Sequence, residues 1–489
     1  MMGKTKPPQG KLFFQGFLLE ERVRQNHPLR TVRKLVDFDF AYREVKECYG
    51  YNGNVSVPPP VILKLMFLLF YYDVASEREL LETLPERLDW LWFLGYDLDD
   101  EIPDHSVLSK ARRRWGVEVF RGLFVRIVEQ CVAFGLVDGS RIYCDASLVD
   151  ADASNDSVKD RGVLRMVVGQ LEKKLSDMGE EGEAEPERVR RYVSSTDPDA
   201  AVVHGKGGAR PRYKTNRAVD DRHGVITATE LAAGDVNEAH LLPLLLEQHE
   251  ATTGQRVSTV AADAKYGTVA NYLYCHDRRV VAHMPDLKRA TATSGCKGRI
   301  YPDTEFRYCP EEDAYICPAG KRLKRKRYHD SRQSYDYCGS SELCGNCLLR
   351  EKCTTSGRGR SIKRHVRQGD IDRMREEAQS WRAKTDLRRR KHIMEGSFAD
   401  GANNHGLKRA RWRGLDRMTI QDYLIAAVQN IRIMVKGRLG RAVAGAGVML
   451  QPALDLGQSV LRRGPSLLRH VQASELNLAS IPVSSDWPT

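Results

Sequence analysis

Near residue 139 the chain stops spacing its apolar residues every three or four positions and begins a series of short β-prone runs bounded by polar turns. That change limits the fold more than any other feature. Arg141-Ile142-Tyr143-Cys144-Asp145 reads as a short strand ending in a carboxylate. Residues 213–219 and 224–231 read as two more strands, joined by the turn Asp220-Asp221-Arg222-His223. A helix at 238–249, a strand at 257–263, a further short helix and a strand at 279–283 complete the block. Strands interleaved with helices in this order predict an α/β core.

Helical patterns flank this block. Residues 17–135 carry them throughout, and 60–72 is apolar except for Lys64, as a helix buried on all sides would be. Ser76 with Glu79 three residues on has the form of a capping box. Pro103-Asp104-His105-Ser106 opens another helix, with Val107, Leu108, Ala111 and Trp115 at helical spacing. Lys110, Arg112, Arg113 and Arg114 lie on that helix, and two readings stay open: a solvated face, or a helix-turn-helix-like unit touching DNA backbone. A helix is expected at 163–175 and an acidic linker at 179–186. Residues 285–369 turn basic and cysteine-rich and read as an insertion, after which helices return at 370–401 and 418–435. The expected division is 1–135 helical, 136–284 first part of the core, 285–369 insertion, 370–440 helices completing the core, and 441–489 a partly ordered tail.

Composition narrows the function classes. With 489 residues, 41% hydrophobic and 29% charged, the chain suits a globular protein with a large core rather than a disordered one. Its net charge of +12 favours a polyanionic partner. The most apolar stretch, 57–72, holds three prolines and Lys64 and falls short of the roughly 20 apolar residues needed to span a membrane. The N-terminus lacks a signal-peptide core, so the expected location is the cytoplasm, at the nucleoid, with the eleven cysteines reduced.

Asp145 and Asp263 both end apolar runs, where an α/β sheet exposes its functional groups on a rigid platform. Hard carboxylate oxygens there suit a pair of Mg²⁺ ions and phosphoryl transfer. The same residues fit turn formers or helix caps, and Asp150 and Asp152 compete on chemistry alone. Downstream, Cys344-Gly-Asn-Cys347 and Cys353, with Cys309, Cys317 and Cys338 before them, offer several four-thiolate sets for a structural zinc. Basic runs at 321–327, 358–367, 388–391 and 408–413 in one third of the chain suggest a phosphate-tracking surface. Trp412, between arginines, fits either base stacking or ordinary packing.

Four motifs occur in order: Tyr143-Cys144-Asp145-Ala146-Ser147, Thr196-Asp197-Pro198-Asp199-Ala200, Ala261-Ala262-Asp263-Ala264-Lys265-Tyr266-Gly267, and Glu395-Gly396-Ser397-Phe398. Asn404-His405-Gly406-Leu407-Lys408-Arg409-Ala410-Arg411-Trp412-Arg413-Gly414 follows the last. Over roughly residues 55–435 the chain thereby resembles bacterial insertion-sequence transposases of the DDE class. The resemblance implies an RNase H-like mixed-sheet catalytic core with a helical N-terminal domain and an inserted cysteine-rich subdomain. It implies strand cleavage and strand transfer with two Mg²⁺ (or Mn²⁺) ions on Asp145, Asp263 and Glu395, and a zinc on Cys317, Cys344, Cys347 and Cys353. The implied partners are double-stranded DNA, as terminal inverted repeats and as target, and a second copy of the chain in a synaptic complex. The alternatives are an RNase H-like nuclease without strand transfer, and a catalytically decayed zinc-containing DNA-binding protein. Many relatives place Tyr, Arg and Lys seven before, four before and seven after the glutamate; here Arg388, Lys391 and Ala402 stand there. Arg388 and Lys391 share the glutamate's helical face and are expected phosphate contacts, with Lys408, Arg409, Arg411 and Arg413.

Overall fold

The computed structural model describes residues 2–4, 18–50, 54–160, 190–205, 207–287 and 300–441. The helix and linker expected at 163–186 lie outside them, as does the tail beyond 441. Residues 1–436 form one compact unit; the second unit, 437–489, falls almost wholly outside the described residues.

The amino-terminal part is helical: α1 (Pro28–Leu35), α2 (Pro59–Tyr71), α3 (Glu77–Thr83), α4 (Leu88–Leu94) and α5 (Ser106–Ala133). α2 is buried on nearly every side, because proline at its first turn sets the helical φ and apolar residues follow all round. Its Lys64 holds the ammonium over the rings of Phe38 and Phe93, at 5.9 and 5.5 Å, and burial lowers its pKa. The capping box forms: Ser76 accepts from the Glu79 amide at 3.1 Å, and the Glu79 carboxylate accepts from the Ala75 amide at 3.2 Å. α5 breaks at Gly116, whose φ of 71° lies in the left-handed region that glycine tolerates. Arg112 is not a solvated face residue: it is buried, ion-paired with Glu77, and lies 3.7 Å from the ring centroid of Trp412.

The core sheet runs β6 (Ile226–Ala233), β5 (Gly208–Asp220), β1 (Arg141–Asp150), β7 (Thr259–Ala261), β8 (Val281–His283). β1, β7 and β8 are parallel and β5 runs against β1, an RNase H-like mixed sheet. β5 is long enough to pair first with β4 (Ala201–Gly205) and then with β6 along one edge. β4 continues through β3 (Tyr192–Ser194) to β2 (Val158–Asp160). α6 (Leu242–Thr253) and α7 (Val269–Asp277) pack with this sheet through Leu242, Leu245, Leu246, Tyr272 and Cys275.

β1 is longer than its sequence suggests. The expected end at Asp145 is instead mid-strand, because residues 146–150 continue the antiparallel ladder against residues 212–216 of β5. What stops near Asp145 is the parallel neighbour: the last β1–β7 pair is Tyr143 with Ala261.

Residues 300–365 build a separate antiparallel sheet, order β13-β12-β11-β10-β9, from β9 (Arg307–Cys309), β10 (Ala314–Ile316), β11 (Arg322–His329), β12 (Ser334–Cys338) and β13 (Ser361–His365). Its apolar core is small: Phe306, Tyr315, Leu323, Tyr337 and Ile362. The chain then returns to the first sheet through α8 (Gln368–Glu377), α9 (Trp381–Asn404) and α10 (Leu415–Arg441).

A buried polar network locks these last helices to the sheet. Arg217 of β5 is fully buried, 3.5 Å from the Asp422 carboxylate of α10, and donates to Gln429 at 2.8 Å. Gln429 in turn donates to the Ser397 carbonyl of α9 at 2.8 Å and to Asp400 at 3.0 Å. Asp197 and Asp199 pin the start of α10, accepting from the amides of Gly414 (3.2 Å) and Leu415 (2.8 Å). That gives the Thr196–Ala200 motif a concrete task in the fold.

Candidate active site

Asp145 and Asp263 stand two residues beyond the paired Tyr143 and Ala261 on parallel strands. Equal offsets from a parallel pair put two residues at one level on one face of the sheet. Asp263 accepts from the Lys265 amide at 3.0 Å through one carboxylate oxygen, capping the single turn Ala264–Tyr266. It is therefore the turn former that its sequence context also allows, with its second oxygen left for another ligand.

Asp145 is half-buried. One oxygen accepts from the Ala146 amide at 2.8 Å and the other from the Arg390 guanidinium of α9 at 2.8 Å. Burial raises its pKa; Arg390 opposes that rise and the charge of Asp263 adds to it. Two carboxylates that feel one another's charge favour a cation near them. Lys265 is ion-paired with Glu238 at 2.7 Å, and Glu238 also takes Lys214 at 2.7 Å, so that lysine pair is held beside the aspartates by a buried carboxylate. The competing Asp150 and Asp152 are committed elsewhere: Asp150 to the buried Arg212 at 2.6 Å, and Asp152 to Arg413 at 2.9 Å.

α9 crosses this end of the sheet. Asp386 accepts from His283 of β8 at 2.7 Å, one turn later Arg390 meets Asp145, and one turn further Met394 is buried. Glu395 lies on the same helix, roughly 7.5 Å of helix rise past Arg390, and is exposed with Arg388 and Lys391. The structure thus brings Asp145 and Asp263 together and leaves Glu395 apart. Among the described residues no three carboxylate, imidazole or thiol side chains converge on one ion position.

The basic residues after α9 divide. Arg409 is exposed, whereas Arg411 is turned inward, bonded to Asp73 and to the Leu69 carbonyl and lying 4.7 Å from the Phe70 ring. Arg413 pairs with Asp152, and the Lys408 ammonium meets Ser147 of β1. Trp412 packs, edge to face with Phe70 at 5.7 Å and under Arg112. His405, fully buried, bonds the Phe70 carbonyl at 2.7 Å, so this stretch fastens the helical region to the core.

Arg390 is the site residue that sequence reading missed. Four basic residues in a row, 388–391, give no sign of which faces the sheet. Asp386 and Met394, at helical spacing on either side, were the available signal.

In the second sheet Cys317, Cys344, Cys347 and Cys353 line one cavity, while Cys338 lies apart, against Ser361 at 3.4 Å. Burial pushes the Cys353 thiol up; Arg360 opposes this, and the nearby Cys317, Cys344 and Cys347 reinforce it. A Cβ at Gly339 would lie 2.7 Å from the Cys344 sulfur, and one at Gly359 3.0 Å. Both glycines therefore leave room for that thiol.

This sheet, with Asp145 on β1 and Asp263 just past the end of its parallel neighbour β7, has the strand order of an RNase H-like core. Residues 17–114 match the family described as "Transposase domain (DUF772)", and residues 316–435 match "Transposase DDE domain". The chain thus carries a transposase domain and a DDE transposase domain. The second match contains Glu395; Asp145 and Asp263 lie outside both. The solved synaptic complex of piggyBac transposase with hairpin DNA is similar at 10% identity and a TM-score of 0.35, over 95% of this chain and 88% of that one, a likeness too loose to bear on the site. No curated protein matches. Among the described residues no helix is long and apolar enough to cross a membrane.

Proposed function

We propose that this transposase cuts and rejoins DNA at the ends of a mobile element with Asp145, Asp263 and Glu395 as the metal-holding carboxylates. The observation that carries this reading is the equal offset of Asp145 and Asp263 from the Tyr143–Ala261 pair. Divalent cations bound there would supply Lewis-acid stabilisation of the attacking and leaving oxygens. The chain's own residues do the positioning. The Ala146 and Lys265 amides each hold one oxygen of an aspartate; the other oxygen of Asp263 can turn toward a ligand, while that of Asp145 accepts from Arg390, which would have to share or release it. Arg390, beside Asp145, is placed to meet the charge of a scissile phosphate. Glu395 completes the set once α9 and the DNA close on the sheet, and Arg388, Lys391, Lys408, Arg409 and Arg413 contact phosphates along the same side.

We read the four thiols at 317, 344, 347 and 353 as a structural zinc site. Their shared cavity and the two glycines against Cys344 support it, as does the small apolar core of this sheet among the described residues; the four thiols do not converge on one ion position here, so a zinc ion would have to draw them together. The helical region 1–135 we read as binding the element's ends, with two copies of the chain bringing two ends together.

The test is Mg²⁺- or Mn²⁺-dependent cleavage of duplex DNA carrying the inverted repeats that flank the gene, followed by joining to a target duplex. Asp145→Asn, Asp263→Asn and Glu395→Gln are each expected to abolish both steps while leaving DNA binding. Cleavage that survives Asp145→Asn overturns the assignment; cleavage without joining identifies a nuclease.

A further inference from the structure

α9 shows a second face to solvent. Arg389, His392, Ile393, Gly396, Ser397 and Asp400 recur along one helical face and form one wall of an open cleft. The β5–β6 turn forms the second wall through Arg222, His223 and Gly224, and α10 the third through Arg432, Ile433 and Lys436. Both cleft carboxylates are already partnered: Asp221 pairs with Arg389 and accepts from the Tyr143 hydroxyl, and Asp400 pairs with Arg432 and accepts from Gln429. Arg222, His223, His392 and Lys436 are exposed and form no ion pair among the described residues. The cleft is therefore lined by cationic and imidazole groups on all three walls.

Gly396 lies in the α9 wall. A glycine inside a helix weakens it, and the reason is usually a close neighbour. Gly401 has one: a Cβ there would sit 2.9 Å from Leu407 and 3.2 Å from the Gln429 side chain. At Gly396 an added Cβ would meet nothing within 4 Å, and its φ is not in the left-handed range. Among the described residues nothing lies close enough to require a glycine at 396, so the helix surface there is open to the approach of a ligand backbone.

We infer that this cleft binds a segment of DNA backbone, with Arg222, His223, His392 and Lys436 on its phosphates and Gly396 permitting its close approach to α9. The inference rests on the transposase reading and deepens it: the cleft flanks the helix carrying Glu395, so DNA seated here would run alongside the site. The strand held is a DNA duplex read by its phosphates rather than its bases, since the lining presents charge and no ordered set of base-reading amides.

The experiment measures fluorescence anisotropy of a random-sequence duplex, across a salt series, with the full chain. Arg222→Gln combined with Lys436→Gln is expected to weaken binding at least tenfold and to lower the slope of log affinity against log salt by about two, one for each phosphate no longer neutralised. Arg256→Gln, an exposed cation elsewhere, is the control and leaves the slope within about one. Gly396→Ala separates ligand contact from folding, because helix propensity raises the melting temperature while the proposed approach of DNA makes the added methyl lower affinity. Gly396→Leu lowers affinity further. Unchanged affinity and slope in the double variant, or unchanged affinity in Gly396→Leu, overturns the cleft. Metal-dependent cleavage by the unmutated chain is scored separately, so failure of the cleft and failure of the transposase reading are distinct results.

Discussion

At residue scale the two glycines of α9 act oppositely. Gly401 is enclosed by Leu407 and Gln429, so Gly401→Ala forces a packed neighbour to move and is expected to destabilise by about 1–3 kcal/mol, read as a lower denaturant midpoint. An unchanged midpoint would mean that Leu407 and Gln429 yield freely. In sequence the two glycines look alike, and each implies only a weaker helix. Asp145, Asp263 and their competitors show the same limit. Chemistry alone ranked Asp150 and Asp152 beside them; in the fold Asp150 pairs with Arg212, Asp152 with Arg413 and Asp145 with Arg390, all partners distant in sequence.

Between elements, the decisive interaction is the buried pair of Arg217 and Asp422, joining β5 to α10 across 205 residues. Arg217→Met leaves Asp422 buried with only Thr215 and Thr229 to bond, and is expected to cost about 3–5 kcal/mol in urea unfolding. Adding Asp422→Leu should recover much of that stability, because it removes the orphaned charge. A double variant no better than the single would show that the hydroxyls, not the ion pair, set the stability. Strand and helix types were legible from periodicity, and the Ser76–Glu79 cap from two residues. The length of β1 was not, since residues 146–150 are extended only by virtue of the β5 ladder beside them.

For the whole molecule, two expectations follow from charge and from the small second core. DNA binding should fall steeply between about 50 and 200 mM salt, given the net charge of +12 and the basic runs; a flat dependence would count against phosphate tracking. If zinc holds the four thiols, a strong chelator should speed hydrogen exchange across 300–365 while β1, β5 and β7 stay protected. Equal exchange with and without chelator, in protein shown by metal analysis to hold zinc beforehand, would remove the metal's structural role.

The sequence by itself determined what is local: helix and strand type, the capping box, the excess of basic charge, and the Glu395 motif with the stretch after it, which falls inside the matched DDE domain. Tertiary structure alone decided that Asp145 and Asp263 follow paired residues of neighbouring strands, that Arg390 rather than Arg388 or Lys391 meets Asp145, and that Arg411 and Trp412 serve packing. Each of those outcomes depends on which segments become neighbours. That choice is made by burying apolar faces and satisfying backbone hydrogen bonds over separations as long as the 335 residues between Phe70 and His405, and no short window of sequence contains it.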